Sequence, residues 1–247
     1  MVKEFRTRRF GRFHWLLRLV AVCAVTSLLL TFAATSKTMD WGVKTIGGLM
    51  VLLQVVLVVL ITPSLSAGLV SNERETGGWE ILRMTPMSGF KIIRGKLLSV
   101  AWTLVLVLFA TLPGYLVMIV IEPVMWLQIY LVCMCLLLTA LFTLLLSAAV
   151  GSLFSRTATA TATAYIILMF LFLGPLLIWL GRDAPFGHST VKTALLATPM
   201  GAALSVMETP GFAQYDLLPA SWWITGCASL VMVMILAVQT WRLMAPK

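Results

Sequence analysis

Long apolar runs alternate with shorter polar stretches along the whole sequence. Six runs stand out, at residues 15–35, 46–70, 97–121, 124–149, 158–180 and 221–241. Each approaches or exceeds the roughly 20 apolar residues that a helix needs to cross a bilayer. Because no water reaches the hydrocarbon core, each run must satisfy its own backbone hydrogen bonds, which favours helices. The pattern predicts an all-α membrane protein, a bundle of six transmembrane helices in one domain over residues 1–247.

Local sequence predicts where these helices depart from regular geometry. Pro63 lies inside the second run and is expected to kink or break its helix, and Pro113-Gly114 is expected to distort the third. Threonine and alanine alternate over residues 157–164 with the period of a strand, but the run continues apolar for a full span, which favours a helix. Residues 181–220 form a mildly polar outer segment, in which residues 191–207 predict one or two short helices against the membrane.

The first and fourth runs carry further local signals. The first run has a basic start, like a signal peptide, but it exceeds the roughly 7–15 apolar residues of such a peptide, so we expect a retained span. The sequence leaves open whether residues 1–14 form an interfacial helix. In the fourth run, Ser147 and Gly151 have the small-xxx-small spacing that lets two helices approach closely.

Basic residues are distributed unevenly between the two sides of the predicted bundle. With the N-terminus inside, the inner segments hold fourteen lysines and arginines, and the outer segments hold four, Lys37, Lys44, Arg182 and Lys192. Lysine and arginine in short loops set the orientation of a membrane protein, while acidic residues contribute little. We therefore expect an integral protein of the cytoplasmic (inner) membrane, with both termini and residues 71–96 in the cytosol.

Composition removes several classes of function. Only 11% of the 247 residues are charged, against about 25% in soluble domains. The net charge of +9 comes from residues beside apolar runs, so topology accounts for it and we predict no nucleic-acid partner. Cys133-x-Cys135 lacks the spacing of a metal or redox pair, and His14 and His188 are far apart, so we predict no metal site.

The interiors of the six runs contain no aspartate, glutamate, lysine, arginine or histidine. Proton-coupled carriers and pumps normally place ionisable residues inside their spans. A sodium-coupled carrier that uses backbone carbonyls stays open. The same absence leaves no catalytic pair for chemistry inside the membrane, so we predict that the chain is not an enzyme and has no catalytic residues.

Residues 71–96 differ from an ordinary cytosolic connector. Glu73, Glu75 and Glu80 are interspersed with basic residues such as Arg74. A connector needs only basic residues to set topology, and acidic residues are disfavoured beside an anionic leaflet. The mixture favours a surface that docks a soluble protein over a loop that rests on lipid headgroups.

Helix signals occur within the same segment. Asn72 followed by Glu75 resembles a capping box and predicts the start of a short helix. Gly77-Gly78 permit a bend after it. Pro86 ends the next turn, and Ser88 is suited to cap the third membrane helix.

Residues 89–96, Gly-Phe-Lys-Ile-Ile-Arg-Gly-Lys, superficially resemble a phosphate-binding loop. That motif requires four residues between its glycines and a serine or threonine after its lysine. Here five residues separate the glycines, and Leu97 follows the lysine. We therefore expect that the chain does not hydrolyse ATP by itself.

The polar segment resembles the corresponding loop of ABC type 2 permeases, the membrane subunits of ATP-driven transporters of the type V exporter kind. The resemblance lies in Ser-Asn-Glu-Arg-Glu-Thr-Gly at 71–77, Trp-Glu-Ile-Leu at 79–82, Thr-Pro-Met-Ser at 85–88 and Ile-Arg-Gly-Lys-Leu-Leu at 93–98. In outline it extends to the six spans, the two inner termini and the long outer segment before the last span.

The resemblance implies a permease domain with a short cytosolic coupling helix between spans 2 and 3, seated in a cleft of a separate ATP-binding subunit. Carried over by position, the contact and shaping residues are Glu73, Arg74, Glu75, Gly77, Glu80, Leu82 and Pro86, and Gly95 and Lys96 mark where the third helix enters the membrane. It also implies a second permease chain, in a homodimer or heterodimer. ATP and Mg²⁺ would bind the partner subunit, with no cofactor on this chain. Export is the implied direction.

Two other functions fit part of the sequence. A membrane scaffold or assembly protein would dock a cytosolic partner through the same segment without moving a substrate. A secondary carrier is disfavoured by the absence of charge in the spans. Apolar spans suit a hydrophobic or amphiphilic cargo, and lipid, polysaccharide precursor, peptide and drug all remain open.

Overall fold

The computed structural model describes residue 18 and residues 21–29, 31–32, 42–78, 89–183 and 186–244. These residues form helices and turns, and no strand occurs among them. Helix α1 is described at residues 21–29 and 31–32. The others are α2 (Val43–Ser66), α3 (Gly68–Glu75), α4 (Gly89–Phe109), α5 (Leu112–Ile121), α6 (Trp126–Leu153), α7 (Thr157–Leu180), α8 (His188–Leu196), α9 (Pro199–Val206) and α10 (Ala220–Met244).

Five helical stretches of the described chain are long and apolar enough to cross a membrane. They are Val43–Glu75, Lys91–Ile121, Pro123–Leu153, Thr157–Leu180 and Ala220–Arg242. They overlap the second to sixth predicted spans, so the described chain is confirmed as helical, with several helices long and apolar enough to span a membrane. The first predicted span, residues 15–35, is described only in part, as helix at residue 18 and within α1. A bundle of six spans therefore stays a prediction.

Helix α6 is the centre of the bundle. It packs against α2, α3, α4, α5, α7, α9 and α10, and its second half is almost entirely buried. A Cβ atom on Gly151 would collide with the carbonyl oxygen of Ala67 and lie 2.8 Å from its carbonyl carbon. The close approach predicted from Ser147 and Gly151 is confirmed at Gly151, where α6 meets the junction of α2 and α3 backbone to backbone.

Proline affects two of the membrane helices differently. Helix α2 continues through Pro63 to Ser66, and Ala67 keeps helical dihedral angles (φ −63°, ψ −31°) before α3 begins. The helix is therefore not broken at Pro63, because the Ala67 N–H bonds back to the Pro63 carbonyl at 3.0 Å. By contrast, a turn separates α4 from α5, and α5 begins with proline in its first turn. The distortion predicted at Pro113-Gly114 is confirmed.

The threonine–alanine repeat is helical, as predicted, and opens α7. Its hydroxyls bond back to carbonyls of the preceding turn. Thr161 Oγ1 donates to the Thr157 carbonyl at 3.0 Å, and Thr163 Oγ1 to the Thr159 carbonyl at 2.8 Å. Because the hydroxyls of Thr161 and Thr163 are satisfied within their own helix, this part of the repeat is compatible with a membrane span.

A neutral polar network stabilises the interruption between α4 and α5. The Leu108 carbonyl accepts hydrogen bonds from Thr111 Oγ1 (2.9 Å) and from Gln54 Nε2 (3.3 Å). Gln54 Oε1 in turn accepts from the Tyr115 hydroxyl at 3.2 Å. All these groups are buried. Gln54 thus links α2 to the point where the α4–α5 helix turns.

The outer segment contains two short helices, α8 and α9, as predicted. Helix α8 is largely exposed, but α9 does not lie on the surface of the bundle. Residues 199–204 of α9 are buried, and α9 packs against α2 and α6. A Cβ atom on Gly201 would lie 2.8 Å from the Leu195 carbonyl oxygen, so this glycine lets α9 approach the end of α8 closely. The expectation of helices against the membrane is therefore wrong for α9, since its apolar side chains face the protein core.

Candidate functional site

The candidate site is the charged cluster formed by Glu73, Arg74, Glu75 and Lys96. The first three residues lie on α3 and the fourth on α4. Since α3 continues α2 with only Ala67 between them, these charges sit on the end of a membrane helix. The part of the 71–96 segment that carries them is therefore helical up to Glu75.

Glu73 and Lys96 join α3 to α4. Glu73 Oε1 accepts a hydrogen bond from Lys96 Nζ at 2.6 Å, and the two side chains are 28% and 31% exposed. The same ammonium lies 3.5 Å from the Leu69 carbonyl oxygen. Because the pair is partly buried, dissolved salt screens it less than it screens a fully exposed surface pair.

Arg74 joins α3 to the end of α6. Its Nη1 donates to the carbonyls of Phe154 at 3.2 Å and Ser152 at 3.4 Å. The last carbonyls of a helix have no partners within that helix and carry its partial negative charge. The guanidinium of Arg74 therefore acts as a cap for α6 that is supplied by another helix.

Glu75 joins α3 to the start of α7. Its Oε2 accepts hydrogen bonds from the Thr157 backbone N–H at 2.8 Å and from Thr157 Oγ1 at 2.6 Å. Thr157 is the first residue of α7, so the carboxylate lies where the helix dipole favours negative charge. Glu75 therefore caps α7 from outside that helix.

The capping box predicted at Asn72 and Glu75 is wrong. Asn72 lies inside α3, and the residue that precedes this helix, Ala67, has helical dihedral angles and makes no side-chain cap. Because α3 continues directly from α2, it has no free N-terminus for Asn72 to cap. The carboxylate of Glu75 is bonded to Thr157 instead.

Glycine ends α3. Gly77 has a φ of +73°, a left-handed conformation that glycine adopts without strain. A Cβ atom on Gly78 would lie 2.5 Å from Glu73 Oε2. The bend predicted at Gly77-Gly78 is confirmed, and it leaves room for the carboxylate that binds Lys96.

Residues carried over from the family resemblance fall into two groups. Glu73, Arg74, Glu75 and Gly77 lie at the end of α3, and Gly95 and Lys96 lie within α4, with open space around the position of a Gly95 Cβ. Glu80, Leu82 and Pro86, together with Trp79 and Ser88, lie outside the described residues. Their roles, like the coupling helix itself, stay predictions.

Sequence reasoning missed the partners of the charged cluster. Thr157, Ser152 and Phe154 are separated from α3 by about 80 positions in sequence. They lie around the connector between α6 and α7, which the sequence marked only as a short stretch with Arg156. The position of Thr157 at the start of a predicted span was the available signal for a capped helix, but nothing local identified the capping residue.

We expect replacement of Arg74 by methionine to destabilise the chain by about 1 kcal/mol, because the last carbonyls of α6 would lose their charged donor. Thermal unfolding of the purified protein in detergent would measure the change, as a fall in Tm of roughly 2–4 °C. Arg94→Met, at an exposed position on α4, is the matched control. An equal fall in both variants would show that net charge rather than the cap matters.

A scan against protein-family models finds no match for this chain, and a sequence search of curated proteins finds none either. The functional conclusion therefore depends on the residues of the 71–96 segment and on the contacts of the charged cluster.

Proposed function

We propose that the chain is the transmembrane permease subunit of an ATP-driven ABC exporter. It would form the substrate path and couple to a separate cytosolic ATP-binding subunit through residues 71–96. The proposal is carried by one observation, the charged cluster at the end of α3, in which three consecutive residues each bind a different helix. A partner seated on this segment would act on all of these helices together.

The charged cluster supports coupling because its contacts are short and direct. Glu73 binds Lys96 on α4, and Glu75 binds Thr157 on α7, without an intervening loop. Arg74 also binds the C-terminal end of α6. Displacement of α3 by a partner therefore has a direct path to three other helices of the bundle.

The proposal divides the chemistry between chains. ATP hydrolysis, with its Mg²⁺, would belong to the cytosolic partner, as the mismatch of residues 89–96 to a phosphate-binding loop also suggests. A second permease chain, identical or similar, would complete the transporter. The proposed location is the inner membrane with the charged cluster on the cytosolic side, which is the side favoured by the distribution of lysine and arginine.

Copurification from membranes in a mild detergent tests the proposal. Tagged wild-type protein is expected to retain a soluble ATP-binding chain with ATPase activity, whereas the tagged chain freed of partners is expected to have none. Glu75→Lys should reduce retention of the partner by more than about tenfold. A lysine would present a positive charge to the partner group that the carboxylate binds, and like charges at an interface are strongly unfavourable. Membrane insertion of this variant should be unchanged.

A second variant separates the two roles of Glu75. Thr157→Val removes the hydroxyl bond to Glu75 but leaves the carboxylate and its charge in place. If Glu75 contacts the partner, Thr157→Val should retain most of the ATPase. Equal loss in both variants would mean that Glu75 acts through its bond to the Thr157 hydroxyl and not through a contact with the partner, since the Thr157 N–H still binds the carboxylate in Thr157→Val. Recovery of wild-type protein without any ATPase, in several detergents, would contradict the transporter and favour the scaffold.

A further inference from the structure

A groove of about 460 Å³ lies beside the charged cluster. Helices α2 and α3 form its floor, and α4 and α7, which both pack on that floor, form its walls. Polar groups reach it from all sides, with Ser64 and Asn72 on the floor, Lys96 and Ser99 on one wall, and Thr157 and Thr161 on the other. The groove is therefore a polar site at the end of membrane helices.

The helix that forms the floor continues beyond the groove, where its exposed residues become apolar. Val56, Leu60, Ser64, Gly68 and Asn72 are spaced four residues apart, so each adjoins the next along a row that winds gradually around the helix. The members near the charged cluster are polar or small, whereas Leu60 and Val56, deeper along the span, are apolar and 51% and 53% exposed. A polar end that continues into an exposed apolar strip matches the shape of a lipid, with its headgroup and acyl chains.

The charges in the groove favour a particular headgroup. Lys96 and Glu73 both line it, so a cation and a carboxylate stand side by side. A purely anionic headgroup would meet the carboxylate of Glu73 as well as the ammonium of Lys96. A zwitterionic headgroup can exchange partners with the pair, its phosphate against Lys96 and its ammonium against Glu73, so that every charge keeps a partner.

We propose that this groove binds a zwitterionic phospholipid that carries a primary ammonium, with its phosphate on Lys96, its ammonium on Glu73 and its acyl chains along Leu60 and Val56. The amide of Asn72 can donate to the phosphate, and the hydroxyl oxygens of Ser64 and Thr161, whose protons bind carbonyls of their own helices, can accept from the ammonium. The site does not depend on the proposed transport function, since it belongs to this chain alone.

Gly68 provides a specific test. It lies on the groove floor, and nothing occupies the space within 4 Å of the position of its Cβ. Gly68→Leu would therefore fill the groove without a clash at the Cβ, and it exchanges a poor helix former for a good one. Gly174 on α7 also has open space around it and does not line the groove, so Gly174→Leu is the matched control.

The experiment uses the purified full-length chain with a phosphatidylethanolamine probe that carries a photoreactive acyl chain. Labelled peptides are identified and quantified by mass spectrometry. We expect labelling of the α2 peptide around Leu60 in wild type and in Gly174→Leu, and a decrease of about tenfold in Gly68→Leu. A phosphatidylglycerol probe with the same acyl chains should label this peptide more weakly.

Three results would overturn the lipid site. Equal labelling of all three proteins would show that the probe contacts the outside of the helix and not the groove. Equal labelling by both probes would exclude recognition of the ammonium. Displacement by inorganic phosphate alone would identify a small-anion site instead of a lipid site. The labelling experiment contains no partner protein and no nucleotide. It can therefore fail while an ATPase copurifies with the chain, and it can succeed while no ATPase copurifies.

Discussion

Replacement of Gly151 by leucine is expected to destabilise the bundle by about 3 kcal/mol, the upper end of the usual cost of overpacking. A Cβ atom at this position would collide with the Ala67 carbonyl oxygen, and 2.8 Å and 2.9 Å would separate it from the Ala67 carbonyl carbon and Cα. These are backbone atoms, so relief requires α6 to move away from the junction of α2 and α3. Tm in detergent should fall by roughly 6–12 °C.

Gly174→Leu serves as the control for this experiment as well. It introduces the same side chain into a membrane helix where nothing lies within 4 Å of the Cβ position, so Tm should stay close to that of wild type. Gly151→Ala should fall between the two, since it adds the Cβ alone. A wild-type Tm for Gly151→Leu would mean that α6 and the α2–α3 junction are not in backbone contact.

Gln54→Leu is expected to destabilise the chain by about 1.5 kcal/mol. The substitution leaves the hydroxyl of Tyr115 without its acceptor at a position that is 1% exposed. Hydrogen bonds between side chains in membrane proteins average about 0.6 kcal/mol and reach about 1.7 kcal/mol. We expect a value near the upper limit because a buried unpaired hydroxyl also carries a desolvation cost. Chemical or thermal unfolding in detergent measures it.

The double variant Gln54→Leu/Tyr115→Phe tests the cause of that loss. Removal of the hydroxyl together with its acceptor leaves no unpaired group on Tyr115, and the Leu108 carbonyl keeps its bond from Thr111. The double variant should therefore be more stable than Gln54→Leu alone. Strictly additive losses in Gln54→Leu and Tyr115→Phe would show that the two side chains do not interact.

The sequence predicted the helical spans well because hydropathy and helix length are local properties. Helices α2, α6, α7 and α10 lie where apolar runs lie. The turn before Pro113 and the bend at Gly77 follow from the backbone restrictions of proline and glycine. Each of these features depends on a few adjacent residues. No knowledge of the neighbouring helices was needed.

The partners of the charged cluster were not predictable in the same way. Glu75 and Thr157 are 82 residues apart, and the apolar runs do not specify which helices become neighbours. The capping box at Asn72 failed for a related reason, because a local motif gives no sign that α3 would continue from α2. Gln54 gives no signal in a pattern of charged and apolar residues, because the group that binds at the turn between α4 and α5 is a neutral amide.

The unbroken passage from α2 into α3 has a mechanical consequence. Val43–Glu75 contains 33 residues, which at the helical rise correspond to about 50 Å, against about 30 Å for the hydrocarbon core of a bilayer. One end carries Lys44, paired with Glu208 beside α9, and the other carries the residues that bind α4, α6 and α7. This continuous helix reaches from one face of the bundle to the other. A tilt imposed at Glu75 would therefore also move Lys44 and the neighbouring α9, because no loop between Lys44 and Glu75 can absorb the movement.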